Sequence, residues 1–299
     1  SNVSENLLLG GALRYENYPE YGNTLDGKIA ARLQVGLNLA IRGAVSTGFR
    51  VPTAGQANLR NVTTEFNMGF LADIATLPPT NPIAQQKGAK ALTPEESVNT
   101  TLGVVFDVGG VDVTVDYYRI EIEDRISLTS RFNLTPVEAS GIDVVATWPF
   151  EMGGGLSNLT FAGNWQSVDL TKFNPDFTSD KRRLQIEQGR PDSRFTLTWT
   201  HSQGRWRLMA RARYYGEYYD APTNNGSVAF YPDPSMVFDA EIGVDATNSL
   251  SLQFGVQNAF DEYPSTNPNG EVAGLVYPEQ SPFSFNGGFY YLRAAYRME

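Results

Sequence analysis

His201 is the only imidazole in this chain of 299 residues, and there is no cysteine. Nucleophilic catalysis of the Ser/His/Asp kind would have to run through that one ring, and a conventional His/Cys metal site cannot form. Carboxylates and guanidiniums are the chemical groups that remain. Asp112 and Asp116, like Asp239 and Glu241, alternate with apolar residues along strand-like stretches, where a wet interior accounts for them without catalysis. Arg14, Arg32, Arg42, Arg194, Arg211, Arg213 and Arg293 fall on the same kind of polar register. Two roles are open to these arginines: drawing an anionic ligand inward, as basic pore linings do, or pairing with carboxylates, either of a segment that fills the interior or of the wall, such as Asp112, Asp116, Asp239 and Glu241. The residues point to binding or passage rather than to an enzyme, and no cofactor or metal centre is expected. A net charge of −10 argues against nucleic acid as a partner.

The element that positions these groups is written most clearly at 205–214. Trp206, Leu208, Ala210, Ala212 and Tyr214 share one parity; Arg205, Arg207, Arg211 and Arg213 share the other. Successive side chains of a strand point to opposite faces, so one face is apolar and the other cationic. Val111, Val113, Val115 and Tyr117 stand in the same way against Asp112, Thr114 and Asp116, and Tyr290, Leu292, Ala294 and Tyr296 against Arg293 and Arg297. The pattern predicts about twelve strands, at 5–17, 27–35, 37–49, 97–108, 111–124, 139–148, 156–168, 192–201, 205–219, 235–246, 249–258 and 287–298.

Connections between these strands alternate. Short ones at 36–37, 109–110, 151–155, 202–204 and 247–248 carry the Gly, Asn and Ser that tight hairpins need. Long ones are expected at 18–26, 50–96, 125–138, 169–191, 220–234 and 259–288. All tight turns then lie at one end of the sheet and all large loops at the other, which is the asymmetry of an outer-membrane barrel. A soluble sandwich has no reason to keep it. The expected fold is therefore all-β, an antiparallel up-and-down transmembrane β-barrel with short periplasmic turns and long extracellular loops. A mean hydropathy of −0.30 excludes helical spans and nothing else, because a wet lumen dilutes the lipid-facing residues. Aromatics near strand ends, among them Tyr15, Tyr18, Tyr21, Tyr117, Tyr118, Tyr214, Tyr215, Tyr218, Tyr219, Tyr290 and Tyr291, suit interfacial girdles. The start of the chain lacks the basic residues and long apolar core of a signal peptide, so a mature or trimmed chain is expected.

Particular motifs resemble one family. Arg14-Tyr15-Glu16-Asn17-Tyr18, then Ser46-Thr47-Gly48-Phe49-Arg50-Val51-Pro52-Thr53, are similar to the middle of the barrel of TonB-dependent outer-membrane receptors. Leu92-Thr93-Pro94-Glu95-Glu96-Ser97, Asp116-Tyr117-Tyr118-Arg119-Ile120 and Ala139-Ser140-Gly141-Ile142-Asp143 follow in the family's order. Gly255-Val256-Gln257-Asn258-Ala259-Phe260-Asp261 resembles its NLFD element, and Gly287-Gly288-Phe289-Tyr290-Tyr291 leads into a terminal strand.

The resemblance implies that residues 1–299 are the carboxy-terminal portion of a 22-stranded barrel, without counterparts of the family's plug domain and TonB box. It implies energised import of a scarce, large nutrient: iron bound to a siderophore, cobalamin, haem or an oligosaccharide. Implied partners are that small-molecule ligand, TonB through the missing box, outer-membrane lipid and lipopolysaccharide, and the barrel-assembly machinery. A passive porin or channel, and a soluble secreted β-sheet binding module, are the alternatives. The long loops offer candidate ligand contacts in Arg60, Phe66, Asn224, Asn225, Phe230, Tyr231, Tyr263, Tyr277 and Phe283. Aromatics with amides suit sugars and planar chelates; equally, they pack loops against one another. A partial barrel also leaves its first and last strands with unpaired edges.

Overall fold

A computed structural model describes residues 4–67, 70–86, 88–127, 133–172, 179–222 and 229–298. The strands, in chain order, are β1 (Leu7–Tyr18), β2 (Gly22–Gln34), β3 (Leu39–Arg50), β4 (Asn61–Asn67), β5 (Phe70–Thr76), β6 (Glu95–Val108) and β7 (Val111–Ser127). They continue as β8 (Asn133–Met152), β9 (Gly155–Leu170), β10 (Ser193–Gln203), β11 (Trp206–Tyr215), β12 (Ser235–Asp245), β13 (Leu250–Gln257) and β14 (Phe289–Tyr296). Among the described residues, four short helices, α1 (Ala54–Asn58), α2 (Pro82–Gln86), α3 (Asp180–Glu187) and α4 (Gly270–Ala273), all lie in connections at the long-loop end. All strands but β4 and β5 form one 12-stranded antiparallel meander, open between β1 and β14. β4 and β5 pair with each other inside the 50–96 connection.

Register carries the alternation from strand to strand. One row of directly opposed residues runs Leu7, Leu33, Ile41, Val104, Val115, Val144, Gly163, Phe195, Tyr214, Met236 across β1, β2, β3 and β6 to β12. The adjacent row, one residue along each strand, runs Leu8, Arg32, Arg42, Gly103, Asp116, Asp143, Asn164, Arg194, Tyr215, Ser235. A slip of one residue anywhere would swap the two rows, so the pattern fixes the register. Large apolar side chains of the first face stand open, Leu13 at 81%, Ile29 at 74% and Leu292 at 76% exposed. Their hydrophobic surface is satisfied only by lipid, and this face is the outside of a barrel wall.

The outward apolar band has ends. On β8 it covers Ile142, Val144, Ala146, Trp148 and Phe150, a span of nine residues and about 26 Å of strand before tilt, close to the height of an outer-membrane hydrocarbon layer. Beyond Tyr117 and Ile142 the same outward parity turns polar at Arg119, Glu121, Ser140 and Glu138, where Arg119 pairs with both glutamates. Trp148, Phe150 and Trp199 mark the opposite border, near the tight turns; Trp148 and Phe150 lie 4.7 Å apart. Here Ser157 Oγ and His201 Nδ1 meet at 2.8 Å, beneath Trp199, which stacks on the imidazole. His201 thus lies on the outward parity at the turn end.

On the inner face, Arg42 Nε reaches across β6 to Asp116 Oδ1 on β7, at 3.0 Å. Gly103 between them makes this reach possible, because a methyl group there would overlap the Asp116 carboxylate. Gly103→Ala is therefore expected to expel Asp116 from its place and break the pair. The change should lower the denaturation temperature of the folded, heat-modifiable electrophoretic form, with Asp116→Ala partly restoring it. Tyr118 and Tyr291 likewise lie over Gly141 and Gly255, occupying the space a side chain would take.

Two connections differ from expectation. The stretch 18–26 is no long loop: β1 and β2 pair to Tyr18 opposite Gly22, with φ +82 at Gly22 closing the turn and Asn17 Nδ2 bonded to Asn23 Oδ1 at 2.6 Å. Polar residues at 22–26 mimic a loop because this part of the hairpin stands outside the bilayer. The stretch 125–138 is mostly ladder as well. β7 passes through a bulge between Ile122 and Arg125, with Asp124 at φ +53, and then pairs Ser127 with Asn133. The one-residue insertion breaks the period of two, which ended the sequence-derived strand at 124. β11 stops at Tyr215, so Tyr218 and Tyr219, expected in a strand and its girdle, lie buried in the following loop. Among the short turns, Gly109 and Gly110 take φ +63 and +81, the mirror-image turn that only such residues adopt without strain.

Candidate functional site

The described parts of three connections, 179–192, 216–222 with 229–234, and 258–288, meet above the ends of β9 to β14, and Asp220 ties them together. Its side chain is 1% exposed and accepts backbone N–H groups of Glu279 and Gln280, each at 3.2 Å. Its own backbone pairs with Phe230 in both directions, at 3.0 and 2.9 Å. Next to it, Tyr219 N donates to Gln188 O at 2.7 Å and Gln185 Nε2 donates to Ala221 O at 3.2 Å, which docks the α3 connection on the same strip of chain. α3 itself starts at Ser179, whose hydroxyl accepts the Arg182 amide at 3.2 Å.

Burial sets the electrostatics of this junction. It pushes the Asp220 carboxyl above the ordinary aspartate range against the pull of the Glu279 and Gln280 amides. It pushes the Tyr218 hydroxyl up to about 12. Lys181 is held below the usual lysine range by burial, and Arg182 is lowered by burial and by Arg125 nearby. Cationic side chains of α3 and aromatic rings of the two later loops therefore share one region at the mouth of the wall.

The sequence-derived candidates fall into separate groups. Tyr231 donates to Gln188 Oε1 at 2.9 Å and packs edge-on against Tyr219 at 5.5 Å. Tyr263, Tyr277 and Phe285 form a stack with centroids 6.0 and 6.2 Å apart. Phe283 stacks on Tyr215 at 5.7 Å, and Phe230 takes part in the Asp220 bridge. Arg60 is exposed between α1 and β4, in a different connection. Asn224 and Asn225 lie outside the described residues, as does the side chain of Phe66.

Asp220, Gln185 and Gln188 were not singled out by sequence, since nothing in their local pattern marks a junction. A second support, at 258–261, did carry a signal. Asn258 and Asp261 both take positive φ, +54 and +58, a conformation asparagine and aspartate tolerate better than other side chains. Asn258 Nδ2 donates to Glu262 O at 2.7 Å while its Oδ1 accepts Glu262 N at 2.9 Å. Asp261 Oδ1 accepts Gly288 N at 2.8 Å, closing the loop back on β14. Asn258→Ala removes two hydrogen bonds from a buried side chain and strains the backbone, and about 1–3 kcal/mol of local stability should be lost. Hydrogen exchange at the Glu262 and Gly288 amides reads the effect; Asn258→Gly should relieve the strain but not restore the bonds.

On the inner face below this junction, a cavity of about 400 Å³ is bordered by Thr200, Arg207, Arg211, Glu241, Gln257 and Tyr291. Its ionic groups are largely satisfied. Arg207 holds Asp245 through two bonds of 2.6 and 2.8 Å, Arg213 holds Asp239 at 2.8 Å, and Glu241 accepts the Tyr291 hydroxyl at 2.6 Å. Pairing with wall carboxylates, one of the two roles weighed for the arginines, applies to Arg42 and Arg213. Among the described residues, no group of three or more His, Cys, Asp and Glu is placed to hold a metal ion.

Comparisons with known proteins agree with this architecture. The sequence model of the family described as TonB dependent receptor-like, beta-barrel, matches residues 2–259. No curated protein matches the chain. Among solved structures, a ferric enterobactin receptor mutant from Pseudomonas aeruginosa in complex with enterobactin aligns with a TM-score of 0.69 at 14% identity, over 98% of this chain and 44% of that one. The siderophore receptor PirA from Acinetobacter baumannii gives 0.69 at 13% identity over 98% and 44%. The ferric-catecholate import receptor Fiu from K12 E. coli gives 0.61 at 14% identity over 92% and 35%. The chain thus spans less than half the length of these structures, and at such identities the likeness is one of fold.

Proposed function

Because this chain belongs to the TonB dependent receptor-like β-barrel family, we propose that it forms part of the wall and outer loops of an energised importer in a bacterial outer membrane. The family match over most of the chain carries this reading. The outward apolar band, the tight turns at one end and, apart from the Tyr18–Gly22 hairpin, the longer connections at the other support it. The cargo proposed is a ferric siderophore. The names of the similar solved structures favour it, and the cationic Lys181 and Arg182 of α3, whose connection docks through Gln185 and Gln188 on the loop that carries Tyr219 and Tyr231, suit an anionic chelate with planar iron-binding groups.

In this proposal residues 1–299 are the carboxy-terminal portion of the barrel. The remaining strands, the interior plug and the TonB-contacting box belong to the rest of the receptor. Lipopolysaccharide surrounds the polar outward rim at Arg119, Glu121 and Glu138, and assembly runs through the barrel-assembly machinery. The test is growth and uptake of radiolabelled iron in an iron-limited strain that depends on the complete receptor, offered catecholate, hydroxamate and carboxylate siderophores in turn, with and without TonB. TonB-dependent uptake of one class is expected. Uptake independent of TonB would replace the importer with a passive channel, and uptake of none would move the search to haem, cobalamin or glycans.

A further inference from the structure

We infer that exposed carboxylates of the 216–234 and 258–288 loops select the cargo by charge: they confine a negatively charged chelate to the α3 side of the mouth and disfavour chelates of higher negative charge. From Tyr214 to Leu292 the chain contains no Lys, Arg or His, and it contains ten Asp and Glu. The rest of the chain carries 23 basic and 23 acidic residues, so the whole net charge of −10 resides in this one stretch.

Four of these carboxylates have structural partners. Asp239, Glu241 and Asp245 lie on the wall and accept Arg213, the Tyr291 hydroxyl and Arg207. Asp220 is buried on the amides of Glu279 and Gln280. The other six, Glu217, Asp233, Asp261, Glu262, Glu271 and Glu279, belong to the two loops, and none enters an ion pair among the described residues. All but Glu262 are exposed. They are spread along the loops, and among the described residues no three acids converge as a metal site would require. Their effect is therefore that of a summed field, not of a ligand set.

The adjoining connection has the opposite sign. Lys181, Arg182 and Arg183 follow one another in α3, and Arg182 is lowered by burial and then by Arg125 of β7. Burial also lowers Lys181, an effect that Glu279 and Asp220 oppose and Arg182 reinforces, so Lys181 stands where the two fields meet. Bonds from Gln185 to Ala221 O and from Tyr219 N to Gln188 O hold α3 and the acidic loops in one arrangement. An anion at this mouth is attracted on one side and repelled on the other. Both energies grow in proportion to its charge, vanish for a neutral chelate, and are screened beyond about 8 Å at physiological salt.

The inference rests on the cargo being a ferric chelate, and binding to the parent receptor tests that first. Quenching of tryptophan fluorescence in the complete, purified receptor measures affinity for a trianionic ferric tris-catecholate and a neutral ferric tris-hydroxamate. In Glu217→Gln/Asp233→Asn/Glu271→Gln/Glu279→Gln the trianion should bind about tenfold tighter at low salt, with the gain lost at high salt. The neutral chelate should change less than about twofold, since it carries no net charge for the loops to repel. Lys181→Gln/Arg182→Gln should weaken the trianion alone. Equal shifts for the two chelates, no shift for either, weaker binding of the trianion to the neutralised receptor, or a gain that survives high salt would each overturn the inference while leaving the cargo reading in place. A parent that binds neither chelate removes that reading, and the inference with it. Should the fourfold variant lose the heat-modifiable mobility of a folded barrel, Glu217→Gln/Asp233→Asn and Glu271→Gln/Glu279→Gln are measured separately, each with a gain of about threefold expected for the trianion.

Discussion

Val144→Arg is expected to destabilise the membrane-inserted protein by about 1–3 kcal/mol, between the midplane and border costs of a lipid-facing arginine, whereas Val145→Arg, one residue along β8, should change stability little. Val144 sits in the outward row between Val115 and Gly163, inside the band that ends at Ile142 and Phe150. A guanidinium there must be desolvated or drag water into the hydrocarbon. Val145 faces inward between Thr114 and Ala162 and is 41% exposed along this wall, so an arginine there meets the polar interior of the barrel and not hydrocarbon. Reversible unfolding of the complete receptor by urea in lipid vesicles measures both. Equal effects at the two positions would sink the assignment of faces, since no soluble or two-sided wet sheet distinguishes them in this direction.

Asp220→Ala is expected to release the 258–288 loop from the 216–234 loop and to weaken ligand binding at least tenfold, which corresponds to about 1.4 kcal/mol. The loss is plausible in size because two backbone amides, Glu279 and Gln280, are left without their acceptor, each worth about 1–3 kcal/mol when buried. Asp220→Asn keeps one acceptor oxygen and should fall between. The pH dependence follows from the raised carboxyl. A group whose folded pKa exceeds its unfolded value contributes stability that is full below the unfolded value, near 3.9 for aspartate, and is lost as pH rises through the folded one. Acidification through this window should therefore tighten the junction in the parent and leave Asp220→Ala unaffected. Hydrogen exchange at the Glu279 and Gln280 amides against pH separates this from an effect on the ligand. Faster exchange in acid in the parent, beyond the intrinsic pH dependence, would contradict it.

Legibility in the sequence followed the range of the forces involved. The faces of β7, β11 and β14 were readable because a strand's alternation is a property of consecutive residues: Asp112 and Val113 must point apart wherever the strand lies. Gly109 and Gly110 announced a tight turn for the same local reason, their positive φ. Where local chemistry was ambiguous the reading slipped. The polar stretch at 22–26 is strand, because its ladder to β1 extends beyond the bilayer, and a polar strand in water looks like a loop. The bulge at Asp124 shifted parity by one and concealed the rest of β7.

The aromatics of the last loops were visible as a class but not as an arrangement. Tyr263, Tyr277 and Phe285 are drawn from across 22 residues, and only the fold of the 258–288 loop, pinned by Asn258 and Asp261, makes them a stack. The sequence by itself determined that the chain makes an antiparallel wall with one lipid face, one wet face and loops gathered at one end, because periodicity and turn chemistry are short-range. Tertiary structure alone decided which charges meet. Arg42 finds Asp116 across 74 residues, and Asp220 receives amides from 59 and 60 residues away, since contacts of this kind depend on register and loop path rather than on any neighbour in the chain.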